Sequence, residues 1–462
     1  MPGSFHGINM ASSALRAFQR AMETSGNNLA NVNTRGYSRQ RTNFESVEPM
    51  TLWAGAQMSL GSGVQIESIT RAREMFLEVR YQGANGDFSR FNQYATGLTQ
   101  IESIYREPGE AGISTAMNKM FDAFSGLASN PNDPTTRTKV RDAASLFASR
   151  VRGAYADFGT MREQALSQIE GNIAQINSYG TQIAELNERI RAASAGGGAP
   201  NDLLDQRDTL VRDLSQLSNV TSSQQPDGTI NVFLSNFPLV TGNNARTFPS
   251  TFDSATMTVT DGTTTYPVRG GELLGNMQTV NRIDKARAEL DTLANNMRAQ
   301  FNALHQTGAD AAGNTGQNFF NDVTPPALPS GAIDFDLDPA IKTDANLIMS
   351  STTGLAGDGG LALAMSQLRD VKLAALGTKT FQQFYTGNVS SLATEIDQAT
   401  AQTDTFASIL DQISAQTESI SGVNMDEEMT DLMRYQRSYQ AAARVLTIMD
   451  QVTEDIINMV NR

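Results

Sequence analysis

Cysteine is absent from the 462 residues, tryptophan occurs once (Trp53) and histidine twice (His6 and His305). Without cysteine there are no disulfides and no thiolate metal ligands, a composition that suits a reducing or an extracellular setting. Two histidines so far apart build neither a metal centre nor a proton relay. His6 precedes the first helical seam, and His305 follows Leu304 at a helix end, where it reads as a capping or surface residue. No apolar run approaches the roughly twenty residues of a membrane-spanning helix, and the mean hydropathy of −0.32 predicts a soluble chain with no membrane partner. The N-terminus lacks a basic cluster followed by an apolar stretch and a small-residue cleavage site, so no cleavable signal peptide is expected. Positive charge is scarce as well: 35 Lys and Arg stand against 49 Asp and Glu, a net charge of −14. That argues against nucleic acid, which is engaged through clustered cations.

What is present is helical periodicity, strongest at the two ends. Ile8, Ala11, Leu15, Phe18, Met22, Ser25, Leu29 and Val32 recur at steps of three and four, the seam of a helix that lies along another helix. Asn31 to Gly36 ends it with turn-forming residues. A second seam fills the last forty residues or so: Met425, Met429, Leu432, Tyr435, Tyr439, Ala442, Val445, Met449, Val452, Ile456 and Met459. Each stripe is too narrow to bury much alone, so the two are expected to pair. The first 41 residues are locally basic: Arg16, Arg20, Arg35, Arg39 and Arg41 oppose only Glu23. This charge steers packing against acidic neighbours, or it is a solvated helix face; the sequence leaves both open.

The length exceeds what one core usually serves. The expected class is mainly α with inserted β: paired coiled-coil-like terminal helices, an elongated helical-bundle body and a small β domain inserted between helices. Residues 1–41 with 423–462 are assigned to the terminal pair. Residues 42–90 read as an extended linker, with helix over 71–81. The helical body is assigned to 91–220 with 273–307 and 353–422, including a long stripe from Val151 through Ile190 to Gly196. Asp202 is the expected N-cap of the following helix, with Asp205 in its first turn. Residues 221–272 are assigned to the β insertion. There, a two-residue Asp261-Gly262 loop is expected to place Met257 opposite Tyr266. Residues 308–352, rich in Gly, Pro, Asp and Asn, read as a loop-rich excursion.

No chemical motif stands out. Gly196-Gly197-Gly198 has no following Lys-Ser/Thr and is a connector, not a phosphate loop; no Gly-x-Ser-x-Gly, zinc-helix or dinucleotide pattern occurs. Asp426-Glu427-Glu428 opens the last helix, where carboxylates offset unpaired N–H groups and the positive dipole end. No catalytic, cofactor or metal residue is assigned and no cofactor is expected. The candidate functional residues are an assembly interface: Leu15, Phe18, Met22, Leu29, Val32, Tyr37, Met429, Leu432, Tyr435, Tyr439, Val445, Met449, Val452 and Ile456. Tyr and Arg are enriched at interface centres.

Both ends also carry a family resemblance. Asn27-Asn28-Leu29-Ala30-Asn31-Val32-Asn33-Thr34 followed by Gly36-Tyr37-Ser38 resembles the N-terminal signature of bacterial flagellar rod, hook and hook-associated proteins, with Arg35 where proline is usual. The continuation Tyr37-Ser38-Arg39-Gln40-Arg41 and the internal Asn201-Asp202-Leu203-Leu204-Asp205-Gln206-Arg207-Asp208 resemble the hook–filament junction branch. Ser421 to Met429 and Leu432 to Val445 are similar to the family's C-terminal signature. The resemblance implies a structural, non-enzymatic axial protein that forms the junction between hook and filament by ring-like self-assembly through its terminal helices. It further implies an extracellular, flagellar location reached by type III export. The implied partners are further copies of itself, hook protein on one side, the second hook–filament junction protein on the other, and an export chaperone. The alternatives are a hook or distal-rod protein of the same family, expected to be dominated by strands, and a flagellum-exported wall hydrolase or adhesin, the hydrolase needing a carboxylate pair in a cleft.

Overall fold

A computed structural model describes residues 3–460 except 54–56, 197, 199, 311, 323–330 and 356, with side chains described from 5 to 459 outside 50–59. The helices are α1 (Gly3–Ala30), α2 (Met75–Tyr105), α3 (Ile113–Ser129), α4 (Pro134–Ala195), α5 (Asn201–Leu217), α6 (Gly271–His305), α7 (Pro339–Thr343), α8 (Gly360–Gln367), α9 (Phe381–Ser421) and α10 (Met425–Val460). The strands are β1 (Gln40–Ser46), β2 (Met50–Trp53), β3 (Gln57–Leu60), β4 (Val64–Arg71), β5 (Val220–Gln224), β6 (Ile230–Leu234), β7 (Phe237–Thr241), β8 (Asn244–Ala245), β9 (Thr251–Asp253), β10 (Thr258–Thr260) and β11 (Thr265–Pro267). Every pairing is antiparallel. The chain forms two compact units, the first from residues 1–86, 175–248 and 406–462, the second from 87–174 and 249–405. It passes between them inside α2, α4 and α9 and once in the loop after Phe248.

The first unit pairs α1 with α10. Asn28 meets Glu428 and a Cβ on Gly7 would touch Met449, so the helices run antiparallel. The segment 42–90 is more ordered than a linker: β1 and β4 form a ribbon with one bulge at Asn43/Phe44, β2 and β3 a hairpin at its tip. The residues after Arg73 join one continuous helix, α2, because Gly83-Ala84-Asn85-Gly86 does not interrupt it. The end of α4, α5 and the sheet β5-β6-β7-β8 share a core of Ile183, Ile190, Leu214, Val232, Phe237 and Leu239. Asn187, fully buried on α4, pins that sheet by donating to the carbonyls of Ile230 (2.8 Å) and Gly242 (2.6 Å) and accepting from Ile230 N–H (3.2 Å). A buried amide satisfied on both ends fixes one register.

The second unit is built on one apolar cluster drawn from α2, α3, α4, α6, α8 and α9. Four expectations change here. Residues 308–352 are not an excursion: Phe319, Phe320, Phe335, Leu337, Ile341, Ile348 and Met349 are buried in this core, joined by single β-bridges instead of strands. The 221–272 region is two sheets, β5–β8 in the first unit and β11-β10-β9 in the second. Its hairpin has a four-residue loop, because Asp261 accepts from the N–H groups of Thr263 and Thr264, so Tyr266 pairs with Val259, not Met257. Finally, His305 is neither cap nor surface residue. It is fully buried, with Nδ1–H donating to the Gln317 carbonyl (2.7 Å) and Nε2 accepting from Met349 N–H (2.9 Å). Burial brings its pKa from 6.5 down to about 4, so the neutral ring holds the 308–352 segment onto α6.

Candidate assembly site at the paired termini

The site starts from the turn that ends α1. Gly36 has φ +80°, and a Cβ there would overlap the Thr209 hydroxyl on α5, so only glycine permits both the left-handed turn and the close approach. The turn sets Asn28, Tyr37, Ser38 and Arg39 against three different elements. Asn28 is 1% exposed, and its amide is used completely. Nδ2 donates to the Gln40 carbonyl (2.9 Å) and to Glu428 Oε2 (3.0 Å), while Oδ1 accepts from Gln40 N–H (2.9 Å) and the Tyr37 hydroxyl (2.8 Å). Burial, then the nearby Asp202, Asp205 and Glu428 carboxylates, push the Tyr37 phenol far above its usual range; it stays a neutral donor.

Arg39 is the centre of the joint. Its guanidinium meets Glu428 at 2.6 Å, Glu427 at 2.7 Å and Asp431 at 3.8 Å. Its backbone N–H donates to Ser421 at the end of α9, and its carbonyl accepts from Ala72 beyond β4. The acidic opening of α10 therefore does more than offset the helix dipole, which Asn424 already caps through Asp426 N–H (2.9 Å). Glu427 and Glu428 are ligands for Arg39. On the other flank, Ser38 N–H donates to Asp205 Oδ2 (3.1 Å). Asp205 Oδ1 and Asp208 Oδ2 each accept from Arg71 at 2.8 Å, and Arg73 joins Asp208 to Glu78, which Arg212 also grips. Burial alone would raise Glu78; Arg212 and Arg73 outweigh it and hold the carboxyl below its ordinary range. Asp202 does not cap α5, since the cap position is Pro200 without a side-chain bond. Asp205 is a buried ion-pair member instead.

The fourteen residues assigned to the interface fall into two groups. Leu15, Phe18, Met22, Leu29, Val32, Tyr37, Leu432, Tyr435, Tyr439, Met449 and Ile456 are half-buried in the chain itself. Phe18, Phe44 and Tyr435 form a file of rings, each 5.9 Å from the next. Met429, Val445 and Val452 are 46%, 37% and 44% exposed. With Met425, Met433 and Ile448, also exposed, they make two open apolar patches on α10, Met425 to Met433 and Val445 to Val452. The best-buried residues of α1 are Gly7, Ala11, Ala17, Ala21, Thr24, Ser25 and Asn28; of these the expected seam contains Ala11 and Ser25 and passes over the other five. Small residues let neighbouring backbones approach closely, so the larger seam residues flank the contact.

Among the described residues no group of His, Asp and Glu is arranged to hold a metal, and no helix is long and apolar enough to cross a membrane. Residues 98–320 match the family model for the flagellar hook-associated protein FlgK helical domain. Residues 415–459 match the flagellar basal body rod FlgEFG protein C-terminal model, and residues 8–37 the flagella basal body rod protein model. Flagellar hook-associated protein 1 of Bacillus subtilis is 26% identical over 99% of both chains. Its Salmonella typhimurium counterpart is 27% identical over 98% of this chain and 99% of its own. The fold is similar to the flagellar hook junction protein FlgK of Burkholderia pseudomallei, with a TM-score of 0.63 and 21% identity over 74% of this chain and all of that one. Both terminal matches, the internal helical domain and the fold agree: the chain is similar over nearly its whole length to flagellar hook-associated protein 1 and is a structural protein of the flagellar hook–filament junction.

Proposed function

We propose that this junction protein assembles into a ring through its paired termini, with hook protein on one side and the second junction protein on the other. It reaches that extracellular position through the flagellar export apparatus, escorted before export by a chaperone. The observation that carries this reading is the two exposed apolar patches on α10, Met425, Met429 and Met433 near its start and Val445, Ile448 and Val452 further on. Apolar side chains left open at both ends of a long helix, on either side of the exposed polar stretch Arg437–Gln440–Arg444, are contact surface for a partner. The work is mechanical, a coupling between a bending hook and a stiffer filament. The structure favours this over the rivals. A chain that is 66% helical is not the strand-dominated hook or rod protein; of the buried carboxylates, Glu78, Asp205 and Glu428 are each occupied by arginine, and Asp310 accepts from the N–H groups of Ala312 and Asn314 and from the Asn314 amide.

The test is a strain producing Met429→Glu/Val445→Glu/Val452→Glu. Hooks are expected to form normally while filaments fail to attach and flagellin is shed into the medium. Normal motility with the triple variant at the junction would sink the reading.

A further inference from the structure

The first turns of α2 are inside out. Their buried face is polar: Glu78 is held by Arg73 and Arg212, Asn85 donates to the Ser215 hydroxyl of α5 (2.8 Å), and Gln82 is buried as well. Their open face is apolar, with Met75, Phe76 and Val79 respectively 56%, 63% and 55% exposed. At about 100° per residue, these three and Gly83 share an arc of about 100° that excludes Glu78, Gln82 and Asn85. A surface helix ordinarily turns its apolar side to its own core and its polar side to water. Here the order is reversed. A Cβ on Gly83 would meet nothing within 4 Å, so the open face has a notch at which a second helix can come close.

The methionine patch of α10 matches this face in length, chemistry and charge. Met425, Met429 and Met433 share an arc of about 80°, centred about 100° round the helix from the α1-facing Glu428. Each stripe runs about nine residues, roughly 12 Å. Methionine is flexible and polarisable, and its sulfur packs well on aromatic rings such as that of Phe76. The flanking charges are opposite: exposed Arg80 lies over the Phe76 ring at 5.6 Å, and exposed Asp426 stands about one turn before Met429. Both stripes are also tied to Arg39. Its carbonyl accepts from Ala72 N–H, shortly before Met75, and its guanidinium holds Glu428, next to Met429. The Val445 to Val452 patch starts about seventeen residues past Glu428, roughly 25 Å along α10. Copies that meet at the level of Arg39 therefore bring the methionine patch, and not the later one, against α2.

We propose that the methionine patch of one copy packs on the open face of α2 of the next, so that each copy offers two unlike surfaces to its two neighbours, as head-to-tail association requires. The proposal rests on the assembly reading above and supplies the second half of its contact. Apolar burial and sulfur–ring contact give the adhesion. The Arg80–Asp426 pair, exposed at the rim, selects the register more than it adds affinity.

The chain has no native cysteine, so single-cysteine chains report on this contact. Cells producing a Val79→Cys chain and a Met429→Cys chain together are expected to give a covalent dimer on non-reducing gels once intact flagella are oxidised, since a disulfide needs Cα atoms within ~7 Å. Each chain produced alone should stay monomeric. A dimer from one chain alone would mean that like patches face each other; no dimer from the mixture, with both chains at the junction, would mean that something other than α10 covers α2. Either result overturns the proposal. In parallel, Phe76→Glu should leave the urea midpoint of the purified chain unchanged and lower incorporation into junctions roughly tenfold. Arg80→Glu should lower incorporation about threefold, and adding Asp426→Arg should restore it. Wild-type incorporation of Phe76→Glu, or a fall in its stability, rejects the docking face, and failure of the rescue rejects the register. If the triple variant on α10 still blocks assembly in that case, self-assembly through the termini stands and only the α2 contact falls.

Discussion

The aromatic core of the second unit and the terminal pair of the first are both helical, yet they are stabilised in opposite ways. Phe121, Phe124, Phe147, Phe301, Phe319, Phe320 and Phe335 are at most 1% exposed, with ring centroids 4.6 to 5.9 Å apart in a continuous cluster. Across α10, by contrast, Glu428 is the only buried position among the described residues. One region closes its apolar surface within the chain. The other is fixed in register by an arginine–glutamate–asparagine joint and leaves apolar surface open. The difference is one of closure: apolar surface is closed in the body and left open along α10.

The largest effect that sharpens this contrast is Phe301→Ala. Phe301 touches four other rings of the cluster, so truncation should destabilise the second unit by about 3–5 kcal/mol. Urea unfolding followed by hydrogen exchange in α6 reads this directly. A loss under about 1 kcal/mol would mean that the rings repack and the closed core is not closed.

His305 makes the same core pH-sensitive. Its folded pKa of about 4 lies below the unfolded 6.5, so the unfolded chain binds more protons between those values. The stability it contributes is complete above pH 6.5 and is lost as pH falls toward 4, about 3 kcal/mol in all. His305→Gln should lose less stability than the wild type between pH 7 and pH 4.5, with other groups cancelling in the comparison. Equal slopes in the two proteins would show that the ring is not held neutral.

The terminal joint should respond locally. Arg39→Ala leaves Glu428 buried without its cation, an uncompensated charge that should weaken the docking of α10 by about 2–3 kcal/mol. The expected signature is faster amide exchange in α1 and α10 with the aromatic core unaffected. Uniform acceleration through both units would break the contrast.

How far this was legible in the sequence follows the same division. The terminal seams, the stop after Ala30 and the pairing of the two ends rest on period and turn chemistry, which act locally. On the α1 face that packs best, Ala11 and Ser25 fell on the expected seam, but Gly7, Ala17, Ala21, Thr24 and Asn28 were missed because they carry little hydrophobic signal; burial there follows from small size and from one amide with four bonds. His305 was misread for a related reason. Its partners, Gln317 and Met349, come from a Gly- and Asn-rich segment whose phenylalanines are spaced by neither helix nor strand. The register of β10 and β11 turned on an Asp261 side chain capturing two backbone N–H groups, which lengthened the loop by two residues. In the site, Glu427 and Glu428 fitted a dipole argument completely, and only the fold brings Arg39, almost 390 residues away, onto them.

The smallest expected effect is the most discriminating. Ile448 is 60% exposed, so Ile448→Ser should change monomer stability by no more than about 0.5 kcal/mol. The same substitution sits within the open patch, between Val445 and Val452, where a partner helix would bury it. Removing an apolar side chain from the middle of a desolvated contact should cost binding about 1–2 kcal/mol per copy, repeated at every interface of an assembly. Urea unfolding of the purified chain and the number of junctions per cell therefore measure two separable quantities. If stability falls while junctions persist, Ile448 belongs to the fold of the chain and the terminal pair is as self-contained as the aromatic core. If stability holds while junctions are lost, the exposed patch is surface that only neighbours complete.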